Sequence, residues 1–225
     1  MSKPKTELTG SYEEYFKTIS VVLDLFSKLF LVQPTQKILT LLKSSGILNS
    51  FPIPVLSEEG ESALNVLQEC ISKNNSLEMI REDYLKLFAG LDNVLAPPYA
   101  SVFLDENKLL FDKSTLLARS YYKKHQIEVE EFNQVPDDHI GLLLQFLSIS
   151  CHRISNVIKK NNEQILQILI NDVSFILNNL LLSWIQLFEE RIKIYSCSNY
   201  YVSVVFLSKE MLFLLQLLIT HTQKT

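Results

Sequence analysis

The run Pro136-Asp137-Asp138-His139 concentrates the side chains of this chain best suited to chemistry, with Glu128, Glu130 and Glu131 just upstream and no Lys or Arg between residues 126 and 138. Carboxylates grouped in this way recognise cations, above all guanidinium groups, which they meet in bidentate, direction-specific pairs. Asp137, Asp138 and His139 also offer donors for a divalent ion, and Cys151-His152 has the look of a ligand pair. A metal site needs three or four converging donors, however, and adjacent helical residues point about 100° apart. The sequence holds no HExxH, no CxxC, no GxxxxGK[ST] and no GxGxxG, so neither a metallohydrolase nor a phosphate cradle is indicated. The expectation is a binding protein without enzyme activity, resident metal or cofactor.

A second set of residues is apolar. Tyr84 and Phe88 stand four apart in Glu82-Asp83-Tyr84-Leu85-Lys86-Leu87-Phe88-Ala89-Gly90, and Tyr99 and Phe103 follow Ala96-Pro97-Pro98. Aromatic anchors of this kind line grooves that accept apolar helices. Each candidate also has a plain structural reading. Asp137 or Asp138 would cap the helix starting near His139, and His139 would be a satisfied first-turn histidine. Tyr84 and Phe88 would pack in the core, and Pro97-Pro98 would stiffen a loop. The functional reading of His139 is a hinge that reorganises as the ring titrates near neutral pH.

The elements that must position these residues are helical. Among 225 residues only 5 are Gly and 7 are Pro, and none of either lies beyond Gly141. Strand-rich chains need turn residues every few positions, so this scarcity favours helices. Tyr12, Tyr15, Phe16, Ile19, Val22, Leu23, Phe26, Leu29 and Phe30 recur at three- and four-residue steps and give the first helix one apolar face, with Ser11 and Glu14 as a capping box. Further helices are expected over 35–43, 57–72, 76–89 (closed by a left-handed Gly90) and from a Ser114 cap to His125. Residues 91–111 read as a long ordered loop. Leu142 to Thr225 divides into three helices, broken at Asn161-Asn162 and around Ser196–Asn199, with the middle one apolar nearly all round and therefore enclosed. The fold class is all-α: one globular helical bundle spanning 1–225, with a hinge at about 126–140 between its N- and C-terminal parts.

Composition narrows the partners. With 21 basic against 25 acidic side chains and no basic stripe, neither nucleic acid nor an anionic membrane is indicated. Cys70, Cys151 and Cys197 are odd in number and far apart, which suits buried free thiols in a reducing compartment. Met1 to Phe16 carries charges and no apolar core of a secretory signal. Ile165 to Phe188 is long enough to span a bilayer, but Asn171, Asp172, Asn178 and Asn179 favour a core helix. The expected location is cytoplasmic.

Three segments together resemble the TorD/DmsD family of molybdoenzyme maturation chaperones: Tyr84-Leu85-Lys86-Leu87-Phe88-Ala89-Gly90, Ala96-Pro97-Pro98-Tyr99-Ala100-Ser101 and Val135-Pro136-Asp137-Asp138-His139-Ile140-Gly141. Trp184 to Phe188 and Tyr200-Tyr201 are similar to the family's later helix pair. Val135 stands where the family usually has Glu, and Leu91 where it has Pro. The resemblance implies a cytoplasmic chaperone that binds the twin-arginine leader and cofactor-free form of a molybdopterin enzyme subunit, assists cofactor insertion and delays export. It implies client contacts at Tyr84, Phe88, Pro97, Pro98, Tyr99, Ser101, Phe103, Pro136, Asp137, Asp138 and His139. The alternative is an assembly factor for a non-exported subunit of nitrate reductase or formate dehydrogenase type, without leader recognition. A hinge permits a domain-swapped dimer as well as a monomer.

Overall fold

A computed structural model describes residues 11–73, 76–90, 94–106, 110–129 and 135–223. Among them the secondary structure is helical: α1 (Tyr12–Leu31), α2 (Gln36–Ser44), α3 (Glu58–Ser72), α4 (Ser76–Tyr84), α5 (Ala100–Leu104), α6 (Lys113–Lys124), α7 (Ile140–Lys159), α8 (Glu163–Leu177), α9 (Ile185–Tyr195) and α10 (Asn199–Thr222). Two π-helical turns, Leu85–Ala89 and Asn178–Leu182, continue α4 and α8.

Local chemistry sets most helix starts. Ser11 Oγ accepts from Glu14 N, Thr35 Oγ1 from Ile38 N and Asn162 Oδ1 from Ile165 N, each satisfying an amide that the first helical turn leaves without a partner. Two starts differ from the sequence reading. Asp112, not Ser114, caps α6, because the amide and hydroxyl of Ser114 both donate to Asp105. His139, not either aspartate, caps α7. Gly90 is extended (φ −63°, ψ 142°) rather than left-handed, since the π turn before it ends by handing its carbonyls to the following loop. That loop is not irregular throughout, because α5 lies inside it. Glu130, Glu131 and Leu91 lie outside the described residues.

α1 packs chiefly against α7 and buries Phe16, Ile19, Leu23, Phe26 and Phe30 in the core, and α3 lies along α10. The chain's two ends therefore contribute to one core. Between α8 and α9 the helix breaks at Ser183-Trp184, which divides the expected middle helix. That helix is also not enclosed. Ile165, Ile168, Phe175, Leu187 and Ile194 are exposed, whereas α10 is the central helix. Residues Glu163–Tyr195 and Asn199–Thr222 are both long and apolar enough to cross a membrane by length and composition, but 67% of the apolar window of α10 is buried in the fold against 44% for the other. Of the three thiols, Cys151 is buried, Cys70 half-buried and Cys197 exposed.

Candidate functional site

The three motif segments meet in space. At the π turn over Leu85–Ala89 the carbonyls of Lys86 and Leu87 accept from Leu95 N (3.3 Å) and Ala96 N (2.9 Å). The first segment is thereby stitched to the second. Pro97 and Pro98 then carry the chain, with no amide hydrogens to satisfy, to a point beside the third. There Pro98 O accepts from Ile140 N (2.8 Å), Ala100 N donates to Asp138 O (3.1 Å), and Tyr99 and His139 form an isolated antiparallel bridge.

The carboxylates fasten this junction from within. Asp138, fully buried, accepts from Ser101 N at 2.7 Å and from Thr115 Oγ1 at 2.6 Å. Asp137, also buried, pairs with Arg119 at 2.7 Å, while its carbonyl accepts from Tyr122 Oη at 2.7 Å. Burial and the neighbouring Asp137 and Asp138 raise the Tyr122 phenol well above its ordinary range, which keeps it a donor. Buried charges need such partners. The sequence reading offered these carboxylates to cations beside an apolar groove; the structure buries both and engages them with Ser101, Thr115 and Arg119.

His139 is buried as well. Its Nδ1 accepts from Gly141 N at 3.0 Å, and the Tyr99 ring stands edge-on to the imidazole at 5.2 Å. Burial lowers its pKa from 6.5 to about 3, so the ring is neutral and does not titrate near pH 7, contrary to the hinge-titration expectation. Pro136 is buried beneath it, and its carbonyl accepts from His139 N (3.0 Å). In the first turn of α7, Gly141 passes so close to α1 that a Cβ there would lie 2.4 Å from Leu31 Cγ.

The aromatic residues divide by depth. Phe88 is in the core, edge-on to Tyr201 (4.9 Å) and Phe30 (6.0 Å) and tilted against Phe188 (6.0 Å). Trp184, which follows the second π turn and donates through Nε1 to Leu180 O, stacks on Phe103 at 4.9 Å. Phe88 of the first π turn and Trp184, just beyond the second, thus meet in one cluster through Phe188. Tyr84 and Phe103, half-buried, bring it to the surface; Pro97 and Tyr99 are half-buried as well, Tyr99 against His139, while Pro98 and Ser101 are buried. Burial raises the phenols of Tyr84 and Tyr99. Beside Phe103, a groove of about 230 Å³ is lined by Val102, Leu187, Glu190, Arg191 and Ile194, with Arg191 over the Phe103 ring at 4.9 Å. A wider groove of about 900 Å³ runs between α2 and α4 and reaches Glu82 and Leu85. Among the described residues no three His, Cys, Asp or Glu side chains are grouped to hold a metal ion.

Thr115, Arg119 and Tyr122 complete the junction and were not singled out from sequence. Their signal is a spacing of four and three on one face of α6, which is hard to separate from ordinary helix packing.

The family model described as "Nitrate reductase delta subunit" matches residues 54–190, which hold all three segments. The chain belongs to this family, the TorD/DmsD family. It is 31% identical over 130 residues to a probable Tat proofreading chaperone DmsD of Haemophilus influenzae, covering 56% of this chain and 62% of that protein. It is 29% identical over 142 residues to a chaperone protein TorD of Vibrio parahaemolyticus, covering 63% of each. The matched region thus spans less than two thirds of these relatives' length. A crystal structure of a putative redox enzyme maturation protein from Archaeoglobus fulgidus shares the fold, with a TM-score of 0.52 and 18% identity over 94% of this chain and 99% of that one.

Proposed function

We propose that this TorD/DmsD-family protein is a cytoplasmic chaperone for a redox enzyme that carries a molybdopterin cofactor. In this reading it binds the twin-arginine leader and cofactor-free form of the catalytic subunit, assists cofactor insertion and delays export. The observation that carries the reading is the junction of the three motif segments, which leaves Tyr84, Pro97, Tyr99 and Phe103 partly exposed, Tyr84 and Phe103 at the edge of the aromatic cluster and Tyr99 against His139. These four are the contacts for the apolar part of the leader. Phe88, Pro98, Ser101, Pro136, Asp137, Asp138 and His139 act on the client through the shape they give that surface, because their side chains are buried.

The guanidinium groups of a leader would meet accessible carboxylates instead, of which Glu82 and Glu190 line the adjoining grooves. A second reading, an assembly factor for a non-exported subunit, is favoured by the family model's description as a nitrate reductase subunit. Recovery of the tagged protein from its anaerobically grown host, with mass spectrometry of what it holds, separates the two. A molybdopterin-enzyme precursor with its leader intact, and calorimetric binding of that leader that fails when both arginines become lysine, supports the first. Recovery of leaderless subunits alone supports the second.

A further inference from the structure

Asp83 lies one residue before Tyr84, and its side chain is fully buried. Four donors from the turn between α9 and α10 converge on its carboxylate. Cys197 N reaches Oδ1 at 2.7 Å, while Ser196 Oγ (2.6 Å), Ser198 N (2.8 Å) and Ser198 Oγ (2.5 Å) reach Oδ2. The two amides lie just before the start of α10, where a helix favours negative charge. On the same side Lys86 Nζ stands 3.3 Å from Cys197 Sγ.

What this contact holds is more telling than the contact itself. The turn leads within three residues to Tyr201, whose ring lies 4.9 Å from Phe88 and 6.2 Å from Tyr84. On the other side of Asp83 the chain enters the π turn that carries Phe88, and Tyr84 at its start makes no side-chain cap. One carboxylate therefore fixes both the strand of helix that supplies Tyr84 and Phe88 and the wall, Tyr201, against which they rest.

We propose that Asp83 is the positioning residue of the client-binding surface. The proposal rests on the reading of Tyr84 and its neighbours as that surface. Asp83 does not touch the client; it sets the spacing between α4 and α10 on which the half-buried ring of Tyr84 depends.

Glu210 provides a matched control. It too is a buried carboxylate that closes a helix start, accepting from Leu56 N (2.7 Å) and Ser57 Oγ (2.8 Å) at α3, yet it belongs to no part of the aromatic cluster. The experiment compares Asp83→Asn and Ser196→Ala/Ser198→Ala with Glu210→Gln in the full chain, measuring thermal midpoint and affinity for the leader peptide recovered with the wild-type protein. The expected result is a loss of affinity on the order of tenfold in the Asp83 and serine variants, and none in Glu210→Gln at a comparable midpoint. Equal affinities in all the variants, or equal losses, would overturn the proposal. Should the wild type bind no leader, the chaperone reading fails by itself, and amide exchange decides the role of Asp83. Faster exchange over residues 84–89 in Asp83→Asn but not in Glu210→Gln sustains it, and unchanged exchange removes it.

Discussion

At the scale of single residues, the charged groups of the motif are structural fasteners. Asp138 joins the start of α5 to α6, and Asp137 joins α6 to the start of α7. His139 follows the same logic, and its burial has a consequence in acid. Its folded pKa of about 3 lies below the unfolded value of 6.5, so between these limits the unfolded chain binds the extra proton. Stability is therefore full above about pH 6.5 and falls as pH drops toward 3. Between pH 7 and pH 5 this one group should cost about 2 kcal/mol. Urea denaturation at the two pH values, with His139→Asn as comparison, checks it. Asparagine retains a capping oxygen but cannot take up the proton, so the variant should show a flatter pH dependence. Equal slopes would mean that the ring is solvated in solution.

At the scale of elements, much was legible because it is local. The absence of Gly and Pro after Gly141 and the three- and four-residue recurrence of apolar side chains specify the helices and most of their starts. The π turns were not legible, since Tyr84 and Phe88 four apart satisfy an α-helical face equally well. The aspartates were misplaced for a different reason. Asp138 meets Thr115, and Asp137 meets Arg119, across separate elements, and no local pattern announces such pairs. The outer side of α8 and α9 was misread because an apolar composition does not say which faces are covered. Gly141 shows an element-level constraint that sequence could only suggest. A methyl group there meets Leu31 Cγ at 2.4 Å and Ser27 O at 3.0 Å, and the latter is backbone that cannot rotate away. Gly141→Ala should force α1 from α7 and destabilise the fold by about 2 kcal/mol, the usual scale of overpacking. In a Leu31→Ala background the nearest obstacle is gone and the penalty should shrink. A double-mutant cycle with additive effects would show that the helices do not approach this closely.

At the scale of the whole molecule, the question is whether the segment around residues 126–140 divides the bundle into parts that open separately. The packing argues against it. Phe16, Ile19, Leu23, Phe26 and Phe30 of α1 are at most 1% exposed, and α1 packs chiefly on α7, beyond that segment. At about 2 kcal/mol per buried apolar side chain, these five alone represent about 10 kcal/mol, comparable with the net stability of an entire domain. Ser148 Oγ donates to Ser20 O at 2.7 Å within the same contact, and Asp172 of α8 pairs with Lys124 and His125 at the end of α6. Opening the segment as a swivel would break all of this at once, so the protein should unfold in a single step. Trp184, the one tryptophan of the chain, is fully buried beside Phe103 and Phe188 and reports on the aromatic cluster, while far-ultraviolet dichroism reports on every helix. Urea curves followed by the two signals should superimpose. If fluorescence changed at a lower denaturant concentration than dichroism, the aromatic cluster would be a separately melting unit, and the proposed client surface would be coupled to local unfolding rather than to a rigid core.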